Sequence, residues 1–232
     1  MAAVVGLAGG GLLSGCGLIS SDVTNFDLTL PDKKFTIDAS RWDVQQSDAD
    51  QFTGLPCNSN PSVCSSAVSA VAQACMTDCT GMCNGTTCDL SLDVSLWKSV
   101  DLVMERPELK SINDEPVIQV TIDSVTYDVT SNSLSVPTPT INVYAAPTTV
   151  LKPGPGATLI GTIPSIPAGQ KTSSPQNLVF TATGKADLVK FMNMFKTPFN
   201  VLVGSSLLVT KNQPVPTGIL ESVVHIKGHA GV

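Results

Sequence analysis

The chain predicts a mainly β fold: an antiparallel β-sandwich-like domain with a disulfide-rich helical insertion and one further short helix. Three observations carry this expectation. Apolar residues recur at every second position in most segments after residue 25, the pattern of strands with one buried face. Six of the seven cysteines fall between Cys57 and Cys88, a density that marks a cross-linked module. Helical spacing of apolar residues is confined to Ser62–Cys75 and Lys185–Lys196.

Taken in order, Phe26, Leu28 and Leu30 alternate with polar residues, and Phe35 and Ile37 resume the alternation after Pro31-Asp32-Lys33. This reads as a hairpin over Asn25–Asp38. From Ser62 to Cys75, Val63, Ala67, Ala70, Val71 and Ala74 form an apolar stripe, with Ser62 placed to cap the helix. After Cys88, Leu90, Leu92, Val94 and Leu96 alternate again. In "PVIQVTIDSVTYDVTSN" the apolar phase is even at Ile118, Val120 and Ile122 but odd at Val125, Tyr127 and Val129. A phase flip at Asp123-Ser124 predicts a bulge. The prolines in "SLSVPTPTINVYAAP" predict broken strands at a sheet edge. "NLVFTATG", "FNVLVGSSLLVT" and "GILESVVHIKG" read as further strands. Leu188, Phe191, Met192 and Phe195 recur at helical spacing before Pro198 ends the second helix.

The six cysteines 57, 64, 75, 79, 83 and 88 are an even number, as a fully oxidised exported chain requires. If the first helix is intact, Cys64 and Cys75 lie about 16 Å apart along its axis and cannot bond. Among the remaining pairings, folding the helix back on "TDCTGMCNGTTC" suggests 57–88 and 64–83, leaving 75–79. Zinc ligation is the competing use of C-x₃-C-x₃-C-x₄-C, but both histidines lie far away in sequence, so no metal is expected.

Composition excludes some partners. With 13 Lys+Arg against 19 Asp+Glu and a net charge of −6, nucleic acid is not an expected partner. Neither a G-x-G-x-x-G nor a P-loop run is present, so no cofactor is expected.

The opening run, residues 1–15, carries no charged side chain and is too short to span a membrane, which takes about 20 residues. It suits the apolar region of an export signal. Leu13-Ser14-Gly15-Cys16 resembles the lipobox of bacterial lipoproteins: an aliphatic residue, two small residues and a cysteine. That resemblance implies cleavage before Cys16, thioether lipidation of its sulfur and acylation of the new amino terminus. It also places the usual basic residues upstream of Met1, since none precedes Cys16. Gly17 stands where, in the enterobacterial sorting pattern, an Asp favours retention at the inner membrane, so the resemblance implies the outer membrane. The expected organisation is a signal at 1–15, a lipidated cysteine and tether at 16–24, and one β-rich domain at 25–232 with a cysteine-rich insertion at 55–90. In strand density the C-terminal half is also loosely similar to late-embryogenesis-abundant type 2 sandwiches, which implies nothing about individual residues.

Candidate site residues are sparse. His225 and His229 are four apart in a strand, about 13 Å, too far for shared chelation, and read as surface histidines. No G-x-S-x-G elbow occurs, so no catalytic residue is assigned. Asp78, Asp89, Asp93 and Asp101 read as solvated. Asn84-Gly85-Thr86 matches a glycosylation acceptor. Phe191, Met192, Met194 and Phe195 read as the packed face of a helix, with a lipid pocket as the competing reading. The expected function is a lipid-anchored envelope protein, non-enzymatic, acting in binding, adhesion or structure. The alternatives are a carrier for an apolar ligand or lipid, and an exported hydrolase using His225 beside a serine or carboxylate.

Overall fold

The computed structural model describes residues 25–71, 78–107, 109 and 119–231. The signal, the tether, Cys16 and Cys75 lie outside these residues, and so does the 75–79 pairing.

Two antiparallel sheets face one another, as the alternation predicts. In one, β11 (Ile219–Gly231) pairs with β5 (Gln119–Asn132), and β8 (Gln176–Asn177) lies beyond β5. β1 (Asn25–Asp27) and β2 (Lys33–Asp38) occupy the other edge of β11. The second sheet runs β3 (Cys79–Cys83), β4 (Cys88–Val100), β10 (Phe199–Val209), β6 (Ile141–Pro147), β7 (Thr158–Ile163), β9 (Val179–Phe180). One buried cluster joins the sheets, with Phe35, Ile37, Ile122 and Leu220 on one side and Leu90, Leu92, Val143 and Val203 on the other. Each such side chain withdrawn from water stabilises the fold by roughly 1.5–3 kcal/mol before entropy is counted.

The expected hairpin at Asn25–Asp38 does not form. β1 and β2 run in the same direction along one edge of β11, and Leu28 and Leu30 continue the ladder by donating to Gly228 O and Ile226 O. The register slips by one residue between the two strands. The shift from even (Leu28, Leu30) to odd (Phe35, Ile37) buried positions therefore records a bulge, not a reversal. Pro31, which has no N–H to donate, sits in that break. At Asp123 the expected irregularity is present, with the register shifting opposite Lys227/Gly228.

β6 is not at an edge: it lies between β10 and β7. Pro137 and Pro139 precede it and Pro147 is its last residue, so no proline interrupts its ladder. "NLVF" divides into β8 in one sheet and β9 in the other, with buried Leu178 between them.

Helices α2 (Pro61–Val71) and α4 (Gly184–Asn193) fall where periodicity places them. α2 begins one residue early, and Asn60 Oδ1, not Ser62, caps it by accepting from Ser62 N–H at 3.1 Å. The short helices α1 (Gln46–Thr53) and α3 (Leu102–Glu105) leave no mark in the sequence, because "QSDADQFT" and "LVME" are too brief to show a period. α4 packs between β7 and β5, with Met192 fully buried and Phe191 5.5 Å from Phe199.

In the cysteine module the pairing differs from expectation: Cys57 bonds Cys83 and Cys64 bonds Cys88. Leu55–Cys57 lies antiparallel beside Thr86–Cys88, with Cys88 N–H donating to Leu55 O and Cys57 N–H to Thr86 O. Leu55 is thus opposite Cys88, while Cys57 sits near the turn end of the hairpin, close to Cys83. Cys83 and Cys88 face each other across β3–β4, so one hairpin rung is tied at two points. Cys79 is also disulfide-bonded, to a residue outside the described ones. The α2 backbone rests directly on β3: a Cβ at Gly81 would lie 2.3 Å from Cys64 O.

Candidate functional site

The six-stranded sheet carries a polar groove on the face turned away from the core. Its floor is a row across three strands, in which Ser95 of β4 pairs with Gly204 of β10, and Gly204 with Asn142 of β6. Ser206 and Tyr144 lie beside that row and also line the cavity, whose volume is about 400 Å³. The loop after β6 forms one wall. Buried Asn200 holds this loop down, its Nδ2 donating to Thr148 O at 3.2 Å and Val150 O at 3.0 Å. Pro153 then lies so close that a Cβ at residue 204 would be 2.4 Å from its Cγ, so glycine is required there by contact. Lys152 Nζ reaches Asp78 Oδ1 at 3.1 Å on the rim.

A second cavity of about 170 Å³ shares Asp78, Asp93, Val94 and Ser95 with the first. It crosses the edge of β4 to Asp38, Arg41 and Trp42. Trp42 Nε1–H donates to Asp93 O at 3.2 Å, and Asp93 N–H to Asp78 O at 2.7 Å. The Ser95 hydroxyl is covered yet makes no hydrogen bond among the described residues.

His225 is not an isolated surface histidine. Its Nδ1 lies 2.6 Å from Asp32 Oδ1 and its Nε2 3.0 Å from Asp128 Oδ2. Asp128 Oδ1 in turn accepts from Thr172 Oγ1–H at 3.2 Å. The carboxylate neighbours that the hydrolase reading asks for are there, but both ring nitrogens face them, and no hydroxyl of a described residue lies on either nitrogen. His229 pairs separately with Asp123 at 3.0 Å.

A third feature is an apolar cleft at the end of the sandwich remote from β1. Ile37, Trp42, Leu134, Ile141 and Leu207 line it. It opens beside a shallower hollow lined by Val136, Pro137, Leu208 and Pro214.

Other residues singled out in the sequence are dispersed. Asp89 is buried and accepts from Asn84 Nδ2 at 2.9 Å, against the expectation that it is solvated. Asp101 caps α3, accepting from Met104 N–H at 3.0 Å. Met194 is exposed, while Met192 packs in the core. The sulfurs of Cys57, Cys64 and Cys88 lie within 4.8 Å of one another, each already in a disulfide. Three carboxyls are held below the ordinary aspartate range by hydrogen bonds, Asp38 from Ser40, Asp27 from Thr29 and Asp187 from Lys190 and Thr183. Burial pushes the Tyr127 phenol up. No described helix is long and apolar enough to cross a membrane.

The groove has no signature in the sequence. Asn142, Tyr144, Ser95 and Ser206 are scattered over three strands, and only the sheet register unites them. Set against known proteins, the chain matches no family model, no curated protein and no solved structure.

Proposed function

We propose that this is an exported, lipid-anchored protein of the cell envelope, held at the outer membrane through Cys16 and working there as a non-catalytic binding module. The observation that carries the reading is the oxidation state of the cysteines. All five described ones, at 57, 64, 79, 83 and 88, are in disulfides, the chemistry of an exported chain. The lipobox-like Leu13-Ser14-Gly15-Cys16 gives the odd cysteine a separate use. Several acyl chains at Cys16 would anchor the chain stably, at about 0.8 kcal/mol per buried CH₂. The chain from Cys16 to Asn25 is a spacer of up to ~30 Å when extended. Metabolic labelling with an alkynyl fatty acid, followed by fractionation of wild type and Cys16→Ser, tests the anchor. The expected result is label on the wild-type amino-terminal peptide, and a variant that leaves the membrane fraction. A Cys16→Ser protein that still partitions to membranes, with Met1 retained, would end the proposal.

The second reading is a carrier of an apolar ligand; the cleft between the sheets, lined by Ile37, Trp42, Leu134 and Leu207, has a volume of about 20 Å³ and would have to widen to admit one. Native mass spectrometry of membrane-extracted protein tests this: a bound lipid beyond the mass of the anchor supports it, and its absence opposes it.

A further inference from the structure

We infer that the polar groove on the six-stranded sheet binds a neutral oligosaccharide. This rests on the reading of the domain as a binding module, but not on the anchor.

The groove has the size and composition of a site for a hydroxyl-rich ligand. At about 400 Å³ it is within the range of small-molecule pockets, and its floor combines an amide, two hydroxyls and a phenol ring. Asn142 offers donors and an acceptor in one plane, and Tyr144 offers a ring edge or face beside its hydroxyl. The side chains of Asn142, Tyr144 and Ser206 make no hydrogen bond to another described residue. Ser95 Oγ is covered and unpartnered as it stands, and gains a partner by rotating toward the groove, where a ligand hydroxyl can meet it. Vicinal sugar hydroxyls, each both donor and acceptor, fit such a mixed set.

Charge argues for a neutral ligand. Lys152 is engaged with Asp78, and the second cavity brings Arg41 together with Asp38. With Asp93, which lines both cavities and accepts from Ser91 Oγ–H at 3.1 Å, three carboxylates face two cations, so an anionic ligand is disfavoured and no cluster of like charge is there to hold a cation. Length argues for an oligomer: the second cavity continues the first across β4 through four shared residues, so the path holds more than one ring.

An extended peptide adding to the β4 edge is the competing ligand, and the edge disfavours it. β3 covers β4 only as far as Leu92. Beyond that, Asp93 O is capped by Trp42 and Asp93 N–H by Asp78. Further along, Ser99 O accepts from Lys33 Nζ at 3.4 Å. Between these caps lie the five residues Val94–Lys98, of which only Ser95 and Trp97 share the outward backbone orientation of Asp93, so an added strand would gain few rungs.

The test uses the full chain, in micelles of an amine-oxide detergent that brings no sugar headgroup. Cellotriose, chitotriose and maltotriose are each titrated to about 20 mM, a range that detects millimolar affinity by NMR shifts. The expected result is a saturable shift of the Asn142 side-chain amide, the Tyr144 ring and the Ser95 and Ser206 amides with at least one of the three. The shift should be insensitive to about 0.5 M salt, as suits an uncharged ligand. Asn142→Ala and Tyr144→Ala should each weaken binding about tenfold or more, with thermal unfolding unchanged. Ser206→Trp, which fills the groove from an exposed position, should abolish it. No shift with any trisaccharide overturns the inference. So do shifts confined to another surface, which would leave the binding-module reading standing. A pentapeptide that moves the Ser95 and Trp97 amides while the sugars do not would replace the sugar by strand addition.

Discussion

Lys33 and Glu105 meet at 2.6 Å where the two sheets come together at one end of the sandwich, both largely shielded from water. Lys33 occupies an inward position of β2 and also donates to Ser99 O, so one ammonium ties the first sheet to the end of β4 and to α3. Glu105 Oε2 has no further partner among the described residues. Removing the cation alone leaves a shielded carboxylate uncompensated. Lys33→Ala is therefore expected to destabilise by about 3 kcal/mol, whereas Lys33→Met with Glu105→Leu should cost much less. Urea unfolding of the parent and the two variants checks this. Equal losses for the single and double variants would show that packing, not the pair, dominates.

The two described disulfides close loops of similar span, with sequence separations of 26 and 24. On the loop-entropy view each is worth about 3–4 kcal/mol. Cys64→Ala with Cys88→Ala should lower Tm by roughly 6–16 °C, on the basis of about 2–4 °C per kcal/mol for a chain of this size. Calorimetry under non-reducing conditions reads it directly. A variant melting within a degree or two of the parent would mean that the unfolded chain is already constrained near this bridge.

Gly81 and Gly169 form a contrasting pair. At Gly81 a methyl group would meet the backbone of Cys64 and the ring of Phe52, so Gly81→Ala must lift α2 from β3. At Gly169 nothing lies within 4 Å, and only the positive φ of 69° opposes a side chain. We expect a loss of about 2–4 kcal/mol for Gly81→Ala, an overpacking effect. Gly169→Ala should cost about 1 kcal/mol, the strain of a left-handed backbone. Chemical denaturation ranks the two, and the reverse order would contradict the contact described.

Asp38 caps the 3-10 turn Ala39–Trp42, its Oδ1 accepting from Ser40 Oγ at 2.7 Å and Ser40 N at 3.0 Å. Those bonds favour the charged form and hold the carboxyl below its ordinary value, with a smaller contribution from Arg41. A folded value below the unfolded one means that the stabilisation is full above the ordinary aspartate value. It is lost as pH falls through the lowered one. Carboxyl-carbon NMR of Asp38 should show the low midpoint, and Ser40→Ala should move it upward. A midpoint that stays put in Ser40→Ala would remove the hydroxyl as the cause.

Much of the architecture is legible in the sequence, for a reason visible in particular strands. In β5 and most of β11 one sheet face meets the core and burial imprints a period of two, whereas Cys88–Leu92 of β4 and Phe199–Gly204 of β10 are buried at every position. What the pattern hides is which strand pairs with which. The even-to-odd shift after Leu30 is compatible with a turn or a bulge, and only the partner β11 decides for the bulge. The cysteine pairing is hidden for a similar reason. Cys57 and Cys64 both approach the rung formed by Cys83 and Cys88, and sequence separation does not say which sulfur faces which. The partners of His225 are invisible because Asp32 and Asp128 lie far from it in the chain. The groove is hidden still more completely, since its polar atoms belong to strands separated by long connections.

The arrangement of β1 and β2 along a single edge of β11 has a mechanical consequence. Load arriving through the residues before Asn25 falls first on the short stretch Asn25–Leu30, laddered to the end of β11 and running up to the break at Pro31. Under tension that short piece peels away, and the slip in register at the break keeps the tear from running directly into β2. Phe35 and Ile37, rooted in the core behind it, stay seated while the leading segment lengthens and absorbs the pull.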